Sequence, residues 1–187
     1  MWTFVGVWVL VTSGANVDDI AVRRGLWRAA LVGVGMLAYV LIKAWAWPYY
    51  AQVADRPHYP GRPLAAEVNR RWTARFDSPL PIVAGDAWVA GNVCCFSPHR
   101  PVLYSNGSMG YLVFDSKGAP WVTDGDLTTR GGVIVWDADQ LGDELPAVVR
   151  VRFPGAIGEP PVSFPYQTGA PIPRARVGLA FVPPARD

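Results

Sequence analysis

The sequence predicts an α/β protein in which an apolar helix precedes a domain of alternating strands and helices. Three observations predict this class: an apolar run from Leu26 to Trp47, a region in which helical and extended hydrophobic patterns alternate, and a C-terminal region with strand patterns only. We expect a small α/β sandwich with a mainly parallel sheet and a β-rich antiparallel C-terminal extension.

The run from Leu26 to Trp47 has the length of a transmembrane helix, because about twenty helical residues span the roughly 30 Å hydrocarbon core. Its uncharged centre lies between Arg28 and Lys43, whose aliphatic stems let their charges reach the headgroups. Trp27 marks one end, and four aromatic residues mark the other: Trp45, Trp47, Tyr49 and Tyr50. A buried core helix is the alternative interpretation.

Basic residues at positions 23, 24 and 28 place the N-terminal side of this helix in the cytoplasm and the following domain outside. An earlier apolar run, Met1 to Ala15, is short for a span and lacks the basic start and cleavage site of a secretory signal. We interpret it as part of a truncated helix, and the chain as the C-terminal piece of a larger polytopic protein. The expected organisation is a partial transmembrane helix at 1–15, a cytoplasmic loop at 16–25, a transmembrane helix at 26–47, a linker at 48–61 and an extracytoplasmic α/β domain at 62–187.

Composition and cysteine content exclude several classes of protein. The net charge is +2, and the basic residues are scattered, which does not fit a nucleic-acid-binding surface. Cys94 and Cys95 are the only cysteines and are adjacent, so a disulfide between them would be strained. We expect both thiols to be small buried side chains rather than part of a disulfide framework.

An amphipathic helix is predicted from about Arg62, with Pro63 in its first turn. Four large apolar residues recur at intervals of four: Leu64, Val68, Trp72 and Phe76. Glu67 and Arg71 have the i,i+4 spacing of a helical ion pair.

Strand patterns follow this helix. Leu80 to Ala84 predicts a short strand, and Asp86 is the natural N-cap of a helix from about Ala87 to Phe96. Further strands are predicted over Pro101–Ser105 and Val133–Trp136. From residue 147 onward we predict strands only, in the segments VVRVRF, VSFPY and RVGLAFV.

The segment IVAGDAWVAGN is the best candidate for a binding site, because ligands of open α/β sheets bind at the carboxyl ends of strands. Asp86 and Asn92 would lie there, and Trp88 could stack on a sugar ring. The alternatives are that Asp86 only caps its helix, that Asn92 only packs in a loop, and that Trp88 belongs to the core or faces the membrane. The glycines lack dinucleotide-binding spacing, so no NAD site is indicated.

Other motifs support no catalytic or metal site. His58 and His99 have no carboxylate or cysteine at metal-ligand spacing, and no serine has a nucleophile-elbow context. Asp124 and Asp126 resemble part of a calcium loop, but a solvated turn fits better because the remaining ligands are absent. The triplet 106–108 matches a glycosylation sequon, for which a turn is the simpler interpretation. We therefore predict no catalytic residue, no metal and no cofactor in this chain.

Four segments in order resemble one known family: PGRPLAAEVNRRW, LPIVAGDAWVAGNV, FSPHRPVLYS and APWVTDGDLTTRGGVIVW. Behind a last transmembrane helix, they resemble the C-terminal extracytoplasmic domain of bacterial glycosyltransferase family 39 membrane proteins, relatives of protein mannosyltransferases and aminoarabinose transferases. The resemblance covers about residues 60–136 and extends more weakly through the C-terminal region.

The resemblance implies an integral enzyme of the bacterial cytoplasmic membrane that moves a sugar from a polyprenyl-phosphate donor to an envelope glycan, lipid or protein acceptor. In such enzymes an acidic residue of the first extracytoplasmic loop acts as the base that activates the acceptor, and that loop would lie in a transmembrane region upstream of this chain, so no catalytic residue carries over. Five matching residues become candidates for acceptor contacts or for docking against that region: Arg62, Glu67, Asp86, Trp88 and Asn92. The alternative is a non-catalytic membrane-anchored binding or assembly module, and nucleic acid is not an expected partner.

Overall fold

A computed structural model describes residues 19–52, 54, 56–105, 107, 112, 114 and 118–185, with side chains from residue 23 onward. The chain forms two compact units, Met1–Trp47 and Pro48–Asp187. The earlier apolar run predicted at residues 1–15 lies outside the described residues.

The N-terminal unit contains helix α1, Asp19–Leu41, followed by a π-helical turn, Ile42–Ala46. Helix α1 begins before the predicted start at Leu26, and its described side chains are exposed. The helical run Arg23–Ala51 is the one segment of the described residues that is long and apolar enough to cross a membrane, and an 18-residue window within it has a mean hydropathy of 1.8. An apolar helix with exposed side chains is compatible with membrane anchoring.

Short helix α2, Trp47–Ala51, starts at the last residue of the first unit and continues into the segment 48–61, which we predicted to be a linker. A 3-10 turn follows at Arg56–His58. The two predicted helices are confirmed as α3, Gly61–Phe76, and α4, Ala87–Phe96.

In the described part of the chain, five strands form one mixed sheet, which confirms the α/β class. They are β1 Ile82–Gly85, β2 Val102–Tyr104, β3 Gly132–Asp137, β4 Ile157–Phe164 and β5 Ala175–Val182. The order across the sheet is β2-β1-β3-β5-β4. Strand β1 pairs in parallel with β2 and β3, whereas β5 pairs antiparallel with β3 and β4. The sheet therefore has a parallel core and the predicted antiparallel extension.

Alternating side chains of the strands divide the core into two layers. Val83, Val133 and Val135 pack with α3 and α4 on one face, and the neighbouring Ile82 and Ile134 belong to the cluster on the other face. Because both faces of the sheet are covered, its central strands are apolar on both sides, as expected for a parallel core.

The segment VVRVRF, which we predicted as a strand, is helix α7, Ala147–Arg152. Two further short helices precede it, α5 Asp124–Arg130 and α6 Ala138–Leu141. The strand prediction for VVRVRF was wrong because the buried side chains are Val149 and Phe153, four residues apart, whereas Val151 is 84% exposed. Spacing by four places two residues on one face of a helix and is not the period of a strand.

Strand β4 is an edge strand with an irregular ladder. Its register shifts between Glu159 and Val162, and the two intervening residues are prolines. Arg71 and Arg75 of α3 both form ion pairs with Glu159, which ties this edge to the helical layer.

The prediction that both cysteines are buried is wrong, because neither side chain is fully buried. Cys94 packs partly buried against the core, whereas Cys95 is exposed, and both are free thiols. Because adjacent helical residues point in directions about 100° apart, only one of the two can face the sheet.

Trp72 is a large, fully buried side chain of the helical layer. Its ring centroid lies 4.2 Å from that of Phe76 and 5.8 Å from that of Phe181. We expect Trp72→Ala to lower the free energy of unfolding by about 3–5 kcal/mol, through lost contacts and a cavity. The control Val151→Ala, at an exposed position, should change it by no more than about 0.5 kcal/mol. Equal urea-unfolding midpoints for the two variants would contradict this assignment of the core.

Candidate binding pocket at the carboxyl ends of β1 and β3

The strand order creates a crevice between β1 and β3. The chain passes from β1 to β2 on one side and then returns to place β3 on the other side of β1. In open α/β sheets, the connections that leave two neighbouring strands sometimes run in opposite directions. A crevice then opens between them at the carboxyl ends of these strands, and ligands bind in it. Asp86 directly follows β1, and Asp137 is the last residue of β3.

Asp86 is held by its own helix. It is only 3% exposed, and its Oδ1 accepts hydrogen bonds from the backbone N–H groups of Trp88 and Val89, each at 2.9 Å. Gly85 precedes it with a φ of 120°, and an added Cβ would collide with the carbonyl oxygen of Val135. A glycine is therefore required where β1 turns into α4 beside β3.

Asp137 has the same relation to β3 and α6. Its Oδ1 accepts a hydrogen bond from the backbone N–H of Asp139 at 2.9 Å, and its Oδ2 accepts one from Gln140 Nε2 at 3.1 Å. Both strands of the crevice thus end in an aspartate that caps the following helix, which fixes each carboxylate relative to the sheet.

Three aromatic rings close the crevice. The ring of Tyr59 meets those of Trp88 and Tyr166 edge to face, with centroid distances of 6.0 Å and 6.2 Å. Tyr59 and Tyr166 come from irregular segments that are joined by a hydrogen bond from Gln167 N to the carbonyl of His58 at 2.8 Å. Aromatic contacts and one backbone bond therefore connect these segments above the strand ends.

Two arginines complete the polar groups. The guanidinium of Arg56 lies over the ring of Trp88, 5.1 Å from its centroid. Arg176, near the start of β5, forms ion pairs with Asp139, at 3.7 Å, and with Asp143. The crevice therefore contains fixed charges of both signs.

These side chains line a partly open cavity of about 160 Å³, which we call the switch-point pocket. Its lining combines carboxylates, phenols, an indole and guanidinium groups, chiefly Arg56, Tyr59, Asp86, Trp88, Asp137 and Tyr166. Asp139, Gln140 and Arg176 add further polar atoms.

Burial and negative charge act together on the two phenols. Burial raises the pKa of Tyr59 strongly, and the nearby Tyr166, Asp137 and Asp86 raise it further. The pKa of Tyr166 is raised by burial and by Asp137 and Asp139. Both hydroxyls therefore stay protonated well above neutral pH, where each can donate and accept hydrogen bonds.

The structure brings two of the five sequence-predicted site residues into the pocket, Asp86 and Trp88. The other three take part in packing and ion pairs. Asn92 donates a hydrogen bond to the carbonyl of Trp88 at 2.8 Å and packs against Gly61 of α3. Arg62 lies over the ring of Phe96, 5.0 Å from its centroid.

Glu67 accepts hydrogen bonds from Arg70 and Arg71 on the surface of α3. These two guanidinium groups, Arg70 first, lower the pKa of Glu67 to about 2. The carboxylate thus has partners within its own helix, and it does not belong to the pocket lining.

Sequence reasoning missed most of the pocket. Asp137 carried a usable signal, because it directly follows the predicted strand Val133–Trp136, and Asp86 likewise follows the predicted strand Leu80–Ala84 after a single glycine. Tyr59 and Tyr166 carried no comparable signal, since both lie in proline-rich segments without periodicity.

The remaining motifs have structural explanations where they are described. Within residues 19–185 as described, no group of three or more His, Cys, Asp or Glu side chains could hold a metal ion. Asp124 and Asp126 begin helix α5, where Thr123 and Asp126 form a capping box, in place of the solvated turn that we predicted. Asn106 and Ser108 of the sequon lie outside the described residues.

Comparisons with protein-family models, curated proteins and solved structures gave no match. The function must therefore be inferred from the residues and the geometry of this chain.

Glu67 makes the stability of α3 depend on pH in a defined direction. Because its pKa is lowered in the folded state, its ion pairs stabilise the fold above about pH 4.5 and lose this effect as the pH falls towards 2. We expect Glu67→Gln to lower the free energy of unfolding by about 0.5–1 kcal/mol near neutral pH, the range of surface ion pairs. The difference from the unmodified protein should shrink in acid urea titrations, and a difference that is constant down to about pH 2.5 would contradict the assignment.

Proposed function

We propose that this chain is the C-terminal part of an integral-membrane glycosyltransferase that uses a polyprenyl-phosphate-linked sugar donor. Its α/β domain, on the outer side of the bacterial cytoplasmic membrane, binds or orients the acceptor. The family resemblance of residues 60–136 motivates the choice of reaction. The acidic residue that acts as the catalytic base belongs to a membrane region upstream of this chain.

The observation that supports this role best is the switch-point pocket. It lies at the strand ends where α/β sheets bind ligands, and its aromatic and hydrogen-bonding groups are held in place by the fold. The apolar helical run Arg23–Ala51 is compatible with a domain held at a membrane. An acceptor-binding domain beside the site of a lipid-linked donor needs both features.

A second candidate function is a non-catalytic membrane-anchored binding or assembly module. The hydrogen bonds of the pocket aspartates favour it, because Asp86 and Asp137 both cap helices and so have structural roles. A pocket of this kind can bind a ligand without any reacting group. The two functions differ in whether a sugar is transferred when the upstream membrane region is present.

The test uses the chain together with the longest upstream reading frame, in membranes supplied with radiolabelled polyprenyl-phosphate sugars. We expect label to pass to an envelope glycan, lipid or protein fraction. If the folded protein transfers no label from any of several donors, the glycosyltransferase function is refuted. If this inactive protein then binds a partner protein specifically, the function as a binding or assembly module is favoured.

A substitution of Trp88 tests directly whether the pocket binds the acceptor. We expect Trp88→Ala to raise the KM for the acceptor at least tenfold, with little change in kcat, because Trp88 would bind the acceptor without touching the reacting atoms. Trp121→Ala is the matched control, since Trp121 is 65% exposed in the same domain and lies outside the pocket lining. Identical kinetics for both variants would exclude an acceptor role for the pocket.

A further inference from the structure

The charges of the switch-point pocket nearly balance. Its lining contains three carboxylates, Asp86, Asp137 and Asp139, together with the guanidinium groups of two arginines. Arg176 already forms an ion pair with Asp139, so opposite charges within the lining compensate each other. The pocket therefore offers no large excess of either sign to attract an ion, and a ligand without formal charge suits it.

The hydrogen-bonding groups of the pocket fit hydroxyls. Carboxylates only accept hydrogen bonds, guanidinium groups only donate them, and the phenols and Gln140 do both. A ligand hydroxyl can donate a hydrogen bond to a carboxylate and accept one from a guanidinium group. Among the described contacts, Asp137 accepts one bond at each oxygen, although a carboxylate offers about four acceptor sites. It can therefore accept from vicinal hydroxyls without losing its contact with Asp139.

The aromatic rings and the size of the pocket limit the ligand further. Tyr59, Trp88 and Tyr166 offer apolar ring surface beside the polar groups, which suits the C–H faces of a sugar ring. The cavity of about 160 Å³ is smaller than the pockets of about 300–1,000 Å³ that enclose drug-sized ligands, and it is partly open to solvent. Its enclosed part therefore suits a ligand of about the size of one six-membered ring.

We propose that the switch-point pocket binds a single neutral saccharide ring, with Asp137 and Gln140 contacting its hydroxyls and the aromatic rings contacting its C–H face. Only the statement that this ring is part of the acceptor rests on the proposed function. If it is, the acceptor is a glycan, lipid or protein that carries a neutral sugar.

Binding to the full chain in detergent micelles, measured by saturation-transfer NMR, tests this specificity without requiring transfer. The probes are methyl α-glucoside, methyl α-mannoside and methyl β-galactoside as neutral rings, glucosamine as a cation, and glucuronate and glucose 6-phosphate as anions. We expect at least one neutral glycoside to bind at least fivefold more tightly than every charged probe. Tighter binding of a charged probe, or no binding of any neutral glycoside, would overturn the proposal.

Two variants locate the site. Asp137→Asn keeps the size of the side chain and one carbonyl acceptor for the helix cap, and Gln140→Ala removes an exposed side chain that caps nothing. Each should weaken binding of the neutral glycoside at least fivefold. Asp77→Asn is the matched control, because Asp77 is exposed outside the pocket lining and has a positive φ of 47°, which asparagine tolerates.

The control should bind as tightly as the unmodified chain. Unchanged binding in both pocket variants, with circular dichroism showing them folded, would overturn the assignment to this pocket. The two proposals can be refuted separately. If the chain expressed with its upstream reading frame binds a saccharide but transfers no sugar, the glycosyltransferase function is refuted and the assignment of the pocket stands. If that protein transfers sugar but binds no saccharide in the pocket, the assignment of the pocket is refuted and the glycosyltransferase function stands.

Discussion

The close approach of β1 to β3 is the constraint on which the candidate site depends. Gly85 leaves no room for a side chain beside the carbonyl of Val135, and the N–H of Asp86 donates to that same carbonyl at 3.1 Å. This contact continues the parallel ladder to its last residue and then directs the chain into α4. The hydrogen bonds between β1 and β3 fix the register of the two strands and therefore the positions at which both strands end. They thereby also fix the positions of Asp86 and Asp137 relative to each other.

Local sequence predicted the elements whose patterns are strong and whose ends carry capping residues. Helix α4 was placed from the apolar run and Asp86, and α3 from the recurrence of Leu64, Val68 and Trp72. The error at Ala147–Arg152 arose because six residues of mixed valine and arginine fit either period. Only the packing of Val149 and Phe153 against the sheet decides between them.

The site was predictable only where it coincides with those elements. Asp86 and Trp88 follow a strand directly, so their position at its carboxyl end could be inferred. Tyr59 and Tyr166 lie more than a hundred residues apart in sequence, and their ring contact and the bond between Gln167 and His58 bring their segments together. Such long-range contacts cannot be predicted from hydrophobic periodicity, because both segments are irregular and run over the surface of the folded domain.

The two prolines at the register shift of β4 have a consequence for the behaviour of the chain in solution. Pro160 and Pro161 have no N–H group, so this edge of the sheet cannot offer a continuous row of donors to a strand from another molecule. The opposite edge is β2, which has only three residues. Neither edge is therefore a good template for sheet growth between molecules, which protects the domain against forming fibrils with its neighbours.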